Sequence, residues 1–525
     1  MTPEEWIAHD PDPVTAAELA RCDPAELTAR FARPLTFGTA GLRGPVRGGP
    51  DAMNVAVVLR ATWALATVLT GRGVAGSTVI VGRDARHGSA EFCVAAAEAL
   101  AAEGFSVMQF ADPVPTPVLA FSVRQTGAAA GIQITASHNP PADNGYKVYL
   151  DGGIQIVSPT DREIEAAIDG APFADEIARA PVEPAGAELI EQYIDRAAGL
   201  RRSPGPVRVA LTALHGVGGA VAVETLRRAG VHDVHTVAAQ FAPDPDFPTV
   251  TFPNPEEPGA ADAVLALAAD VDADVAIALD PDADRCAVGI PTPTGWRMLS
   301  GDETGWLLGD FTLSRTEPST LATSVVASTV VSSRMLASIA ARWGAHHVET
   351  LTGFKWLARA DAELPGTSLV YAYEEAIGHC VDPAAVRDKD GISAAVLACD
   401  LVATLKGSGA SVLDALDDLA RRFGVHVGAA VSRPVADPDR AAALMRRLRA
   451  APPTKLVGFA SATTDLMSRT DALIFTGGDA GTSVRVVVRP SGTEPKVKFY
   501  IEVRSGTRPH AAALCDELAA AVRSW

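Results

Sequence analysis

Lysine is almost missing from this chain. Of 45 basic residues only seven are lysine, and arginine supplies the rest. Where arginine is the default cation, a lysine suggests that a compact or titratable amine is wanted. Five of the seven (Lys147, Lys355, Lys389, Lys496 and Lys498) fall in or beside glycine-rich polar loops, although surface loops also collect lysines by chance. Cysteine is scarce too. The six (Cys22, Cys93, Cys286, Cys380, Cys399 and Cys515) contain no CxxC pair, which argues against a disulfide framework or a zinc site and fits reduced thiols. Positive charge does not prevail either. A net charge of −18 repels phosphate backbones and anionic membranes, so neither nucleic acid nor membrane is expected as a partner. An anionic substrate would need a local positive pocket. No apolar run approaches the roughly 18 residues of a membrane span. The opening Met1-Thr-Pro-Glu-Glu has neither the basic nor the apolar region of a secretory leader, and the expected location is the cytoplasm.

What is present is core-forming material in quantity. The chain has 525 residues, 48% of them hydrophobic, enough for roughly three or four domains. One pattern occurs three times: an apolar β-rich run, a small-residue loop, an Ala-rich helix, a glycine and a second strand. The copies run through 78–110, 207–237 and 324–351. Strands alternating with helices predict mainly parallel, helix-covered sheets. After Gly424 the pattern changes to a helix near 438–450, strands near 472–476, 484–489 and 496–503, and a closing helix from His510. The predicted fold is α/β, with three similar mixed α/β domains (1–200, 201–295 and 296–424) and a smaller C-terminal α+β domain (425–525). Candidate linkers are 201–206, 291–295 and the stretch around Phe423. The Pro-, Asp- and Glu-rich segment 243–259 reads as a rigid surface loop.

Four polar loops carry the chemistry. The first is Thr135-Ala-Ser-His-Asn-Pro140, followed by Asp143-Asn-Gly-Tyr-Lys147. Ser137 is the candidate nucleophile; a serine hydroxyl needs a nearby base or a pre-installed phosphate. Lys147 would hold phosphoryl oxygens or serve in proton transfer. His138 is either catalytic or a turn histidine that caps backbone. In the second loop, Asp280-Pro-Asp-Ala-Asp-Arg285, three carboxylates alternate after an apolar strand. Like charges about 5 Å apart repel by about 3 kcal/mol per pair at an effective dielectric near 20. A divalent cation relieves that cost, and oxygen-only ligands favour Mg²⁺. An EF-hand is excluded, because Arg285 and Pro291 stand where Gly and Glu are needed. A phosphoryl oxygen on Ser137 is a natural further ligand, and Arg285 would contact phosphate or orient the cage. The third loop, Glu374-Glu-Ala-Ile-Gly378, offers paired acids that suit sugar hydroxyls, although a helix N-terminal charge pair would look the same. Lys389 and Lys355 are further cations near it in sequence. The fourth, Arg489-Pro-Ser-Gly-Thr-Glu-Pro-Lys496, combines a guanidinium, two hydroxyls and glycine-exposed N–H groups into a phosphate cradle, with a plain hairpin turn as the alternative. Arg43 lies in a further glycine-rich loop, Phe37-Gly-Thr-Ala-Gly-Leu-Arg-Gly44.

Together these loops resemble the α-D-phosphohexomutase superfamily, the phosphoglucomutases, phosphomannomutases and their relatives, from Gly38 to about Val503. The resemblance implies a four-domain enzyme with its domains around a central cleft, monomeric or homodimeric. It implies a hexose 1-phosphate/6-phosphate mutase acting on glucose or mannose phosphates through a phosphoserine and a sugar 1,6-bisphosphate, which also serves as activator. By resemblance Ser137 is the phosphoserine, and Asp280, Asp282 and Asp284 bind Mg²⁺ with its phosphate. Arg43, Lys147 and Arg285 surround the transferring group. Glu374 binds sugar hydroxyls, while Arg489, Ser491, Gly492 and Thr493 hold the distal phosphate with help from Lys389. One departure stands out: Ala376 occupies a position where many hexose mutases have serine. The Phe37–Gly44 opening and the Glu374–Gly378 loop look like the branch that also holds phosphopentomutases and a glucose-1,6-bisphosphate synthase. A lost hydroxyl removes one sugar hydrogen bond, worth roughly 1 kcal/mol, and puts the preferred sugar in question.

Overall fold

The β-rich runs of the first repeat become a mixed sheet in the computed structural model, which describes residues 1–37, 41–150, 152–491 and 496–525. Its strands are β1 (Leu42–Pro45), β2 (Thr78–Arg83), β3 (Ser106–Gln109), β4 (Ala130–Ile134), β5 (Asp143–Leu150) and β6 (Ile154–Gln155). They lie in the order β1-β5-β4-β2-β3, with β6 beside β5. Strands β3, β2 and β4 are parallel, whereas β5 pairs antiparallel with β4 and β1 antiparallel with β5. Val79, Ile80 and Val81 of β2 and Ala130, Ile132 and Ile134 of β4 are fully buried, as central strands covered on both faces should be. Helices Ser89–Ala102 and Thr116–Thr126 pack on both strands.

The second repeat copies this plan. Its strands β7 (Arg208–Thr212), β8 (Asp233–Thr236), β9 (Val275–Leu279), β10 (Cys286–Thr292) and β11 (Gly295–Met298) take the order β11-β10-β9-β7-β8. Strands β8, β7 and β9 are parallel, and β10 and β11 are antiparallel additions. The expected linker at 291–295 is therefore a tight hairpin, with Thr292 opposite Gly295; proline and glycine mark turns and linkers alike. The third repeat supplies the parallel pair β12 (Ser324–Thr329) and β13 (His346–Thr350) and the antiparallel pair β14 (Ser368–Glu374) and β15 (Gly378–Cys380).

The sheets are thus less parallel than the repeats suggested. A parallel return needs a crossover of a dozen or more residues, and the connections after β4, β9 and β14 are shorter than that. The chain turns back as an antiparallel strand instead, and these turns carry the first three polar loops. Each turn contains one non-glycine residue in the left-handed region: Ser137 (φ 55°), Ala283 (φ 54°) and Ile377 (φ 53°). That conformation costs an L-residue of order 1 kcal/mol, so the same kink has been kept at one topological position in all three repeats.

Two compact units result, Met1–Thr304 with Val370–Ser408, and Gly305–Leu369 with Gly409–Trp525. In the second unit an antiparallel sheet takes the order β16-β22-β21-β20-β19, beside the short pair β17 and β18. These are β16 (Val425–Pro434), β17 (Lys455–Leu456), β18 (Phe459–Ala460), β19 (Ala462–Asp465), β20 (Leu473–Gly478), β21 (Ser483–Pro490) and β22 (Lys496–Ser505). Met445 and Leu448 from helix Pro438–Ala450 and Leu518 and Val522 from helix Arg508–Arg523 join Phe475, Val486 and Phe499 in its core. Helix and strand together make the α/β fold class, with the α+β domain at the C-terminus. Among the described residues no single helix is long and apolar enough to cross a membrane.

Candidate active site

Parallel register brings the serine loop to the edge where β2 also ends. Arg83 pairs with Ile134, and the Asp84 N–H donates to the Ile134 carbonyl at 2.9 Å. Ser137 follows, 1% exposed. Its N–H donates to Thr135 Oγ1 at 2.9 Å, and its hydroxyl donates to Asp280 Oδ2 at 2.9 Å. His138 Nδ1 lies 3.2 Å from the same hydroxyl. Burial, then the Arg285 and Arg43 cations, push His138 well below its ordinary value, so the imidazole is neutral at pH 7. Arg43 reaches the loop through Asn139 Oδ1 at 3.2 Å.

The acidic loop is the turn from β9 into β10, and all three aspartates are buried. One carboxylate oxygen from each lies within 4.8 Å of the others. Close packing sets this turn. A Cβ on Gly216 would stand 2.3 Å from Pro281 Cα, and one on Gly391 would stand 2.3 Å from the Arg285 carbonyl oxygen. Lys147 donates to Asp282 Oδ2 at 2.7 Å and Asp284 Oδ2 at 2.9 Å. Thr116 donates its hydroxyl to Asp282 Oδ2 at 2.6 Å. Lys389 Nζ stands 3.2 Å from Asp284 Oδ2. The structure therefore places Lys147 and Lys389 against the carboxylate cage.

The other oxygens of this pair, Asp282 Oδ1 and Asp284 Oδ1, are buried without a hydrogen-bond partner among the described residues. Burial and the two neighbouring carboxylates raise Asp280 well above its ordinary value. Burial would raise Asp282 and Asp284 too, but the Lys147 ammonium and, for Asp284, Lys389 outweigh it and hold both low. Two orphaned oxygens, a third acid strained by its neighbours and an all-oxygen donor set fit a hard divalent cation.

Arg285 lies across the cage, 3.8 Å from Asp284 Oδ1 and 4.0 Å from Asp280 Oδ2, and reaches Glu374 Oε1 at 3.9 Å. Burial opposes its charge, and Glu374, Asp280 and Asp284 hold it above its ordinary value. Glu374 ends β14, and an isolated bridge from Arg285 to Gly378 ties the third loop to the second. Burial raises Glu374, against Lys389 and Arg285. Glu374 and Lys389 flank Gly378, where a Cβ would meet Lys389 Cδ at 2.4 Å and Glu374 Cγ at 2.9 Å. Ala376 is half-buried at the tip of this turn. Asp390, next to Lys389, caps helix Gly391–Gly407 through the Ile392 and Ser393 N–H groups, a cap worth about 1 kcal/mol.

Ser137, His138, Arg43, Lys147, the three aspartates, Arg285, Glu374, Ala376 and Lys389 thus all belong to the first unit. Lys355, Arg489 and Ser491 belong to the second. Lys355 is buried in the short helix Phe354–Leu357. Arg489 is half-buried on β21 opposite Lys498, and the Ser491 N–H donates to the Lys496 carbonyl at 2.8 Å, so the cradle loop joins two hairpin strands. Gly492 and Thr493 lie outside the described residues. Sequence reading missed Thr116, in the Pro-rich run Asp112-Pro-Val-Pro-Thr-Pro117, and Arg86, in Gly82-Arg-Asp-Ala-Arg86. The signal for Arg86 was position: it follows β2, which ends beside the serine loop. Glu256, from segment 243–259, comes within 3.9 Å of Arg285 Nη1.

Sequence models of phosphoglucomutase/phosphomannomutase match four successive stretches: alpha/beta/alpha domain I over residues 34–175, domain II over 191–293, domain III over 300–423 and the C-terminal domain over 434–521. The chain belongs to the phosphoglucomutase/phosphomannomutase family. With it the chain joins the isomerase-class enzymes of sugar phosphates. It is 39% identical over 486 residues to a protein of Haemophilus influenzae named a probable phosphomannomutase, covering 90% of this chain and 97% of that one. It is 33% identical to a probable phosphoribomutase of Schizosaccharomyces pombe, covering 99% and 96%. A solved structure of a family protein from Burkholderia thailandensis shares the fold, with a TM-score of 0.72 at 23% identity over 93% of this chain and 97% of that one.

Proposed function

We propose that this family member interconverts hexose 1-phosphate and hexose 6-phosphate, of glucose or mannose, through phosphorylated Ser137 and a bisphosphorylated sugar. The observation that carries this reading is the Ser137 hydroxyl, buried and 2.9 Å from one oxygen of a three-aspartate cage with four cationic side chains close by. A simple binder needs no nucleophile there.

In the forward half-reaction the Oγ–P bond of phosphoserine breaks as the free sugar hydroxyl forms its bond to phosphorus, and the proton that hydroxyl gives up ends on Ser137 Oγ. The bisphosphate then reverses end for end. Ser137 takes back the other phosphoryl group, and the departing sugar oxygen regains a proton. Phosphoryl transfer places most of the work on positioning and charge neutralisation. Arg285, Lys147, Lys389 and Arg43 supply fixed positive charge around Ser137, and neutral His138 can accept or donate a hydrogen bond at its Oγ. Glu374 is placed to accept from sugar hydroxyls. Asp280, Asp282 and Asp284 would hold Mg²⁺, whose charge would neutralise the phosphoryl oxygens. Arg489, Ser491, Gly492 and Thr493 are proposed to bind the distal phosphate, with a sugar 1,6-bisphosphate as the species that primes Ser137. Six unpaired cysteines support the cytoplasm as the place of action.

A second reading keeps the reaction and exchanges the sugar for ribose or deoxyribose phosphate. It is favoured by Ala376, which offers no hydroxyl at the tip of the sugar loop. Phosphorus NMR of the protein with Mg²⁺, a trace of glucose 1,6-bisphosphate, and glucose, mannose and ribose 1-phosphates offered together decides between them. Growth of a hexose 6-phosphate supports the first reading, and selective formation of ribose 5-phosphate replaces it with the second. Release of inorganic phosphate alone, or wild-type turnover by S137A, overturns both.

A further inference from the structure

Nothing in the proposed chemistry uses Arg86, yet its side chain ties down the serine loop. Its guanidinium donates to four backbone carbonyls of that loop: Ser137 and Asn139 at 2.6 Å each, Pro140 at 2.8 Å and Asp143 at 3.1 Å. Arg86 is 4% exposed. Asp84 Oδ2 lies 3.4 Å from its Nε, and Asp84 Oδ1 is held in turn by the Ser89 hydroxyl and the Arg86 N–H. The guanidinium rests on the ring of Phe247, 5.0 Å from its centroid. Phe247 is 2% exposed and itself left-handed, at φ 47°. It belongs to the Pro-rich segment 243–259 that looked like a plain surface loop. His87 and Asp246 add a second contact at 2.7 Å between the same two stretches.

The four carbonyls belong to the turn in which Ser137 takes its left-handed backbone. Such a residue persists only where its surroundings over-determine it. A planar fork with five donors spans four acceptors, and an ammonium does not. The second repeat braces its kinked turn from the same place, where the Val217 N–H donates to the Pro281 carbonyl at 2.8 Å. We propose that Arg86, seated on Phe247, is the positioning residue that sets the Ser137 backbone for phosphoryl transfer; this rests on the phosphoserine reading above.

The test compares R86K and F247L with wild type. It measures kcat and KM for glucose 1-phosphate, the fraction of Ser137 phosphorylated by glucose 1,6-bisphosphate (intact mass), and Tm. A misplacement near 1 Å costs about 100-fold in rate. R86K is therefore expected to lose about that much kcat, with KM within about threefold and phosphorylation slowed in parallel. F247L is expected to lose about tenfold, since it keeps the guanidinium and removes only its platform. Should R86K fail to fold, F247L alone decides. Wild-type kcat and phosphorylation rate per folded molecule, with only Tm lowered, would make Arg86 a structural residue and overturn the proposal. A wild-type protein that takes no phosphoryl group from the bisphosphate would instead overturn the phosphoserine reading, and this inference with it.

Discussion

Replacing Lys147 by methionine removes one charge and little volume from the most crowded part of the site. The ammonium now bridges Asp282 Oδ2 and Asp284 Oδ2 at 2.7 and 2.9 Å, and all three groups are 2% exposed or less. Without it, carboxylates within 4.8 Å of one another repel by about 3 kcal/mol per pair at an effective dielectric near 20. Lys389 at 3.2 Å from Asp284 relieves only part of this, and the Thr116 hydroxyl only hydrogen-bonds Asp282. Removing one partner of a buried ion pair costs about 3–5 kcal/mol, and Tm in EDTA should fall by about 5–10 °C. A divalent cation held by the three aspartates would supply the missing charge, so Mg²⁺ should raise the variant's Tm by more than it raises that of wild type. Thermal unfolding in EDTA and in millimolar Mg²⁺ measures both. A variant that melts with wild type in EDTA, or whose deficit is unchanged by Mg²⁺, would refute the view that Lys147 compensates the cage.

Gly216→Ala should displace the acidic turn, because its Cβ would stand 2.3 Å from Pro281 Cα and 2.4 Å from the Pro281 carbonyl oxygen; a loss of about 10-fold or more in kcat and weaker Mg²⁺ binding by titration calorimetry are expected. Ala376→Ser restores a hydroxyl to the sugar loop and should shift the hexose-to-pentose ratio of kcat/KM by about fivefold, from one hydrogen bond of roughly 1 kcal/mol; an unchanged ratio would remove Ala376 from the specificity argument. In the second unit, burial works against the charge on Glu502, but His426, Ser333 and Arg334 lower it to about 2 from 4.5. The carboxylate is therefore favoured by folding, so this stabilisation is complete above pH 4.5 and lost as pH falls toward 2. It amounts to about 3 kcal/mol, and E502Q should flatten the Tm-against-pH curve across that window.

The sequence made the loops legible because each concentrates rare residue types: three aspartates at alternate positions, a lysine in an arginine-rich chain, a serine between β-run and proline. It made the three repeats legible because their central strands (β2, β4, β7, β9 and β12) are buried on both faces and read as apolar runs. Strand direction was not legible, because a turn of eight residues and a crossover begin with the same residue types. Nor was the partner of Lys147. In sequence it falls in a polar loop; the structure puts it on β5, with its amine against Asp282 and Asp284 from the turn after β9. Arg86 escaped because nothing local marks an arginine whose acceptors are carbonyls some 50 residues away, and Phe247 because its role depends wholly on Arg86. The left-handed kinks at Ser137, Ala283 and Ile377 are invisible in sequence. No glycine marks them, since the surrounding contacts rather than the residue's own preference hold the backbone there.

Charge counting links the acidic composition of the chain to an anionic substrate. Five cations meet in the first unit's site, Arg43, Arg86, Lys147, Arg285 and Lys389. They face six carboxylates, Asp84, Asp280, Asp282, Asp284, Glu374 and Asp388, and Glu256 adds a seventh at the rim. Burial, then the neighbouring carboxylates of Asp282 and Asp284, raise the affinity of Asp280 for a proton. Left to its side chains, the site is neutral or slightly anionic and would not attract a phosphate dianion in a protein of net charge −18. A divalent cation held by Asp280, Asp282 and Asp284 would change the sign and leave the lysines and arginines to face phosphoryl oxygens. Such a metal would do more than polarise the transferring group. It would convert a balanced cluster of buried ion pairs into an anion site.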